Sequence, residues 1–249
     1  MKKIHFITIF LAITVVLLST CKKDETTTTC KVIQSKLVAA NTTDTSIANF
    51  TYGSDGKLIK LDMGRGNYTT YTYSGGTLTK IVYVNNIMSE TDVYTLNSNG
   101  YADIAINKNA NSQVVSNTVY AYDENGYLTT KTTTMTADIT DVTTTTYSYD
   151  DNGNRTSTIT DHYVGGNDVF NSENDFEYYT DKLNKNASTI AYEGKSNTNL
   201  AKTNTYTVMG NLALTTTYAY ELDANGYITK ETTVSGGSIF YTFSVYNCK

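Results

Sequence analysis

The stretch Tyr120-Ala-Tyr-Asp-Glu-Asn-Gly-Tyr-Leu128 decides the fold. Its two leading tyrosines stand two residues apart, so they share one face of an extended strand. Asn-Gly follows, a dipeptide that readily supplies the positive φ angles of a type I′ turn. An aliphatic-bearing strand then begins. The unit is a β-hairpin, and the chain writes it again as Tyr147-Ser-Tyr-Asp-Asp-Asn-Gly-Asn-Arg155 and Tyr218-Ala-Tyr-Glu-Leu-Asp-Ala-Asn-Gly-Tyr-Ile228. Weaker copies are Phe50-Thr-Tyr-Gly-Ser-Asp-Gly-Lys-Leu58, Tyr71-Thr-Tyr-Ser-Gly-Gly-Thr-Leu78 and Tyr94-Thr-Leu-Asn-Ser-Asn-Gly-Tyr101.

Spacing carries the argument outward. The turn glycines 56, 76, 100, 126 and 153 fall 20, 24, 26 and 27 residues apart, one hairpin and its return each. Gly165-Gly166 and Gly236-Gly237 supply further turns, and segments such as 129–134 read as strands with one polar face. No stretch after the first twenty residues carries a helical period. Hairpin after hairpin predicts an all-β antiparallel meander of roughly 12 to 16 strands, a large curved sheet able to close into a barrel. The pairs Tyr120/Tyr122, Tyr147/Tyr149 and Tyr218/Tyr220 are expected to line its concave, buried face.

Composition agrees. The 249 residues include 22 tyrosines but no proline and no tryptophan, with threonine throughout. Tyr and Thr suit a pleated, half-exposed surface, and the absence of Pro suits uninterrupted ladders. Two lysines lie in the first twenty residues, so beyond them 17 basic residues face 24 acidic ones, a net charge of −7. Without a basic patch, nucleic acid is not expected as a partner.

The chain opens with Lys2 and Lys3 and an apolar run from Ile4 to Leu18, the pattern of a signal peptide. It is shorter than a membrane span. Leu18-Ser19-Thr20-Cys21 resembles the lipobox of bacterial lipoproteins; Thr20 departs from the usual small residue. The resemblance implies cleavage before Cys21 and acylation of its thiol, which anchors the protein to a membrane. Residues 21–30 then form a lipidated tether and 31–249 a single all-β repeat domain. Lys22-Lys23-Asp24-Glu25 resembles the export signal of surface lipoproteins in Bacteroidota, implying an outer-membrane protein at the cell surface. With Cys21 lipidated, Cys30 and Cys248 remain, and an oxidising compartment favours their pairing as a disulfide.

The unit at 120–128 and 147–155 is similar to the YD (Rhs-type) repeat. The stretches 176–184, 194–200 and 218–230 resemble Bacteroidota lipoproteins of unknown function with a porin-like fold. Together these likenesses cover most of residues 45–246 and imply the curved sheet; their motifs carry fold rather than chemistry. A membrane-spanning barrel is not expected, because the outward positions read as Thr, Asn, Ser and Lys rather than an apolar band.

Catalytic constellations are missing. His162 has no second His or Cys cluster near it, so neither metal nor cofactor is expected. Its neighbour Asp161 would point to the opposite face of a strand. The Asp-x-Asn-Gly strings at Asp123, Asp150 and Asp223 lack the spacing and terminal Glu of an EF-hand and suit tight turns. Glu173 with Asp175, or Asp150 with Asp151, are the carboxylate pairs that a glycosidase would use. The reading is a non-catalytic binding or interaction module of the envelope, with a glycan or protein partner. The alternatives are a structural envelope component, a carrier of a lipid-like ligand and, least favoured, a glycoside hydrolase.

Overall fold

The computed structural model describes residues 30–40, 43, 45–185 and 191–248. The signal segment 1–20, Cys21 and the tether as far as residue 29 lie outside the described residues.

Sixteen strands are present among the described residues. The first eight are Cys30–Ala39 (β1), Thr45–Tyr52 (β2), Leu58–Asp62 (β3), Tyr68–Ser74 (β4), Thr77–Val84 (β5), Ile87–Leu96 (β6), Ala102–Asn109 (β7) and Val114–Tyr122 (β8). The second eight are Leu128–Met135 (β9), Val142–Tyr149 (β10), Arg155–Val164 (β11), Asn167–Leu183 (β12), Asn199–Val208 (β13), Asn211–Leu222 (β14), Ile228–Ser235 (β15) and Ser238–Cys248 (β16). Each pairs antiparallel with the next, and β1 pairs with β16 to close the barrel. The meander expected from the repeat is therefore complete and has no free edge.

Each repeat spans two strands, so every repeat turn returns to the same end. Both chain ends lie there too, with Cys30 and Cys248 directly opposite across the closing seam, Cα atoms 3.9 Å apart, and joined by a disulfide. Cys30, assigned to the tether from sequence, is thus the first residue of the barrel wall. This end is called proximal below. The distal end carries two-residue turns at Asn85-Asn86, Gly165-Gly166, Met209-Gly210 and Gly236-Gly237, every one of these residues at positive φ, as type I′ geometry needs.

Apart from Gly75-Gly76, where both residues have positive φ, the repeat turns are not type I′. In 123–127 only Gly126 has positive φ; its N–H donates to the Asp123 carbonyl at 3.1 Å, and the Asp123 N–H to that of Tyr127 at 3.0 Å. The Asp123 carboxylate accepts from the Asn125 and Tyr127 amides at 3.0 and 2.8 Å. Asp150, Asp223 and Asn97 repeat this arrangement. The result is a type I turn with a left-handed glycine and a bulge. A side-chain acceptor at the first position satisfies two amides that a two-residue loop would not expose, and so it selects the longer turn. Register shifts accompany it at Ala121/Tyr122, Ser148/Tyr149 and Glu221/Leu222.

Register sorts the side chains into two walls. Tyr71, Lys80, Asp92, Asn107 and Ser116 are successive partners across β4–β8 and face inward. Leu58, Leu78, Tyr94, Tyr120 and Leu128 form the buried core on the same side. Thr130, Thr132, Thr144 and Thr146, then Thr203, Thr205, Thr215 and Thr217, pair across the outer wall. Lys60 and Asp62 lie outside as well, beside Tyr68. The tyrosine pairs singled out from sequence face inward; Tyr120 is buried, while Tyr147, Tyr149, Tyr218 and Tyr220 are half-buried.

Candidate functional site: a lumen closed at one end

Extended contacts form only between strands that are neighbours around the barrel, so the walls do not collapse onto each other. A circle of sixteen strands leaves an interior of its own. Its proximal mouth is crossed by the connection between β12 and β13. There Ala191–Glu193 form a short 3₁₀ turn whose Tyr192 ring packs 4.8 Å from Tyr94 and is buried. Glu193 reaches Lys131 of β9 at 3.3 Å, and the Lys195 amide donates to the Gly126 carbonyl at 3.1 Å. A connection rooted at β12 can touch β6 and β9 only by passing over the lumen.

At the distal end the described turns bond only to neighbouring hairpins, as in Asn86 to Gly66, Thr136 to Val115 and Met209 to Asn171. Inward-facing apolar side chains there remain wet: Leu37 is 42 % and Leu214 37 % exposed. Among the described residues, therefore, the 191–195 segment crosses the proximal end of the interior and no segment crosses its distal end, an arrangement called a cup below.

Tyrosines build the proximal rim. The second aromatic of successive repeats donates its hydroxyl to a main-chain carbonyl one hairpin upstream. Tyr52 bonds to Val32 at 2.9 Å, Tyr122 to Ala102 at 2.8 Å, Tyr149 to Leu128 at 3.0 Å and Tyr178 to Arg155 at 2.8 Å. The tyrosine after a turn leans on the glycine of the next: Tyr101 covers Gly126, and Tyr127 covers Gly153. Two adjoining cavities, about 520 and 410 Å³, share Lys31, Tyr52 and Gly56, the smaller also bordered by Ala191 and Tyr192; the Lys31 ammonium donates to the Gly56 carbonyl.

Charge inside the cup is mostly neutralised. Asp92 receives Lys80 at 2.8 Å, Asn107 at 2.6 Å and the Tyr94 hydroxyl at 3.3 Å. Burial disfavours the Lys80 ammonium, but the bond and charge of Asp92 outweigh it and hold its pKa above the usual value. Burial likewise pushes the Tyr94, Tyr120 and Tyr192 phenols upward, and Tyr147 and Tyr178 up to about 12. Arg155 differs from the two lysines. Its guanidinium lies between the Tyr147 and Phe176 rings, 5.6 and 5.0 Å from their centroids, with no carboxylate within 4.0 Å among the described residues.

The residues named from sequence fall as follows. Cys21 lies outside the described residues, and Cys30 and Cys248 form the seam disulfide. His162 faces inward near the distal end with its Nε2 2.8 Å from Asp141 of the β9–β10 turn, while Asp161 bonds Asn171 on the outer wall. The Asp123, Asp150 and Asp223 carboxylates cap their own turns. Glu173 and Asp175 sit on the outer wall, opposite Ile159 and Ser157. Among the described residues no group of three His, Cys, Asp or Glu side chains could hold a metal. Sequence reading missed Tyr192, the Lys80–Asp92 hub and Arg155. Arg155 had a signal: it takes the place that Leu58, Leu78, Leu128 and Ile228 hold in other copies of the repeat.

No family model matches the chain, and no curated protein matches it. Solved structures do. A porin-like protein from Bacteroides uniformis ATCC 8492 superposes with a TM-score of 0.65 at 16% identity, covering 87% of this chain and 96% of that one. A porin-like protein from Bacteroides vulgatus ATCC 8482 gives 0.62 at 14% identity, covering 87% and 98%. At this identity the likeness is one of fold: this chain has the barrel of those porin-like proteins over nearly their whole length.

Proposed function

We propose that the protein is an envelope lipoprotein whose barrel serves as a tethered cup, holding a polar ligand in its lumen without catalysing a reaction. The observation that carries this reading is the coincidence of chain ends and floor. The tether enters at Cys30 beside the closed end, so an anchor at Cys21 holds the open mouth away from the membrane. Eight residues separate that anchor from the wall, a reach of at most about 30 Å. The outer wall mixes Thr, Lys and Asp with exposed Ile47, Ile104, Val119, Phe243 and Val245, and the reading of a barrel standing in water rests on the polar side chains that interrupt these apolar ones. The lumen, lined by hydroxyls, amides and paired charges, suits a polar guest better than a lipid tail, which disfavours the carrier reading.

The chain has no native tryptophan, so an introduced one reports its own surroundings. Thr160, inward on β11 with its hydroxyl 3.1 Å from that of Thr145, and Thr146, outward on β10, make a pair of reporters. Polar ligands found by thermal shift should alter the emission of Thr160→Trp and leave Thr146→Trp unchanged. A ligand at 100 times its dissociation constant stabilises by about 2.7 kcal/mol. Stabilising ligands that perturb only the outer reporter would overturn the cup.

A further inference from the structure

We infer that Arg155 is a receptor for the carboxylate of a small hydroxylated acid, a uronate-type sugar, at the floor of the cup; this rests on the cup reading. Three observations converge. First, Arg155 stands in the repeat position where Leu58, Leu78, Leu128 and Ile228 are buried at 0–7 % exposure. Arg155 is half-buried there with its Nε shielded from water, and the fold sets no acid against it. Lys80 and Lys131, the other cations of this inner wall described above, have Asp92 and Glu193.

Second, the guanidinium carbon lies 5.6 Å from the Tyr147 ring centroid and 5.0 Å from that of Phe176, so its aromatic neighbours supply no hydrogen-bond acceptor of carboxylate strength. The N–H fork of a guanidinium pairs with a carboxylate through two parallel hydrogen bonds, which the rings cannot offer it. Third, the buried side-chain atoms without a hydrogen-bond partner among the described residues are Arg155 Nε, Thr158 Oγ1 and Asn204 Oδ1. All three belong to one patch of the inner wall: Thr158 is opposite Tyr147 and Asn174, and Asn204 is opposite Phe176. Buried polar groups are ordinarily satisfied. An N–H donor beside an amide oxygen and a hydroxyl that can donate or accept suits a ligand that brings both an anionic acceptor and hydroxyl groups. A sugar acid does so, and its C–H faces can lie on the surrounding aromatic rings.

The test uses trigalacturonate and its methyl ester, in which each carboxylate charge is replaced by a neutral methyl ester, titrated calorimetrically into the protein. The acid is expected to bind, the ester to bind at least about tenfold more weakly, and Arg155→Gln to weaken the acid by about 10–100-fold, as for a hydrogen bond to a charged group. Circular dichroism checks that the variant folds. Should Arg155→Gln unfold, Arg155→Lys retains the charge without the fork and should still lose at least about fivefold, as when a paired hydrogen bond is reduced to one. Equal binding of acid and ester, unaffected by either variant, overturns the carboxylate receptor and leaves the cup standing. Binding of neither removes this ligand class and the proposal with it, and the Thr160→Trp panel then decides the cup separately.

Discussion

Gly153 and Gly100 end the same kind of turn with the same backbone, φ +80° and +79°, yet their surroundings differ. A Cβ on Gly100 would meet nothing within 4 Å; on Gly153 it would stand 2.0 Å from the Tyr127 hydroxyl and 2.7 Å from its Cζ. Alanine at either site bears the left-handed backbone penalty of about 1–2 kcal/mol. At Gly153 the Tyr127 ring must also leave its place 4.9 Å from the Tyr149 ring, under the Lys195 ammonium. An aromatic pair is worth about 0.5–1.5 kcal/mol and an exposed cation–π contact about 0.5–1 kcal/mol. Gly100→Ala should therefore destabilise by about 1–2 kcal/mol and Gly153→Ala by about 2–4 kcal/mol. Urea unfolding followed by circular dichroism measures both. In a Tyr127→Ala background the excess at Gly153 should vanish, a coupling that a double-mutant cycle isolates. Equal penalties at the two glycines, or an excess that survives without Tyr127, would refute the account of the rim as rings leaning on glycines.

Replacing Cys30 and Cys248 together by Ser should lower stability by up to about 5 kcal/mol, since the bond closes a loop of 218 residues in the unfolded chain; unfolding curves that match the wild type would contradict this. Tyr149→Phe loses the bond to the Leu128 carbonyl and should cost about 0.5–1.5 kcal/mol. Tyr83→Phe, whose ring stacks on Tyr68 outside the barrel, serves as a control expected within about 0.5 kcal/mol of wild type. In alkali, burial keeps Tyr147 and Tyr178 protonated to about pH 12, while the unfolded chain releases these protons near pH 10. Their contribution is complete below pH 10 and falls between 10 and 12, so phenolate absorbance should rise together with loss of circular dichroism rather than before it. In acid the order reverses. The Lys57 amide holds Asp55, and the Thr140 hydroxyl holds Asp138, below the usual carboxylate range. Their stabilisation is present above about pH 4 and is lost as pH falls further; Asp55→Asn with Asp138→Asn should flatten that acid limb of the melting temperature.

The chain itself determined the strands, their inward faces and the turns. Each of these depends on contacts within about a dozen residues: the period of two in Tyr120-x-Tyr122, the left-handed glycine, the Asp that caps its own turn. Even there the expected type I′ geometry gave way to the longer bulged turn, because the Asp123 carboxylate favours a loop with two amides to satisfy. Tertiary structure alone decided closure. Whether β16 meets β1 depends on twist and stagger accumulated over all sixteen strands, a sum no single repeat encodes. It also decided the floor. Nothing local to Ala191-Tyr-Glu193 marks it as a lumen segment, since its partners Tyr94 and Lys131 are distant in sequence and meet it only across the closed wall. Arg155 lies between the two cases: the repeat showed an arginine in an aliphatic place, but only the barrel put the Tyr147 and Phe176 rings on either side of it and left it without an acid.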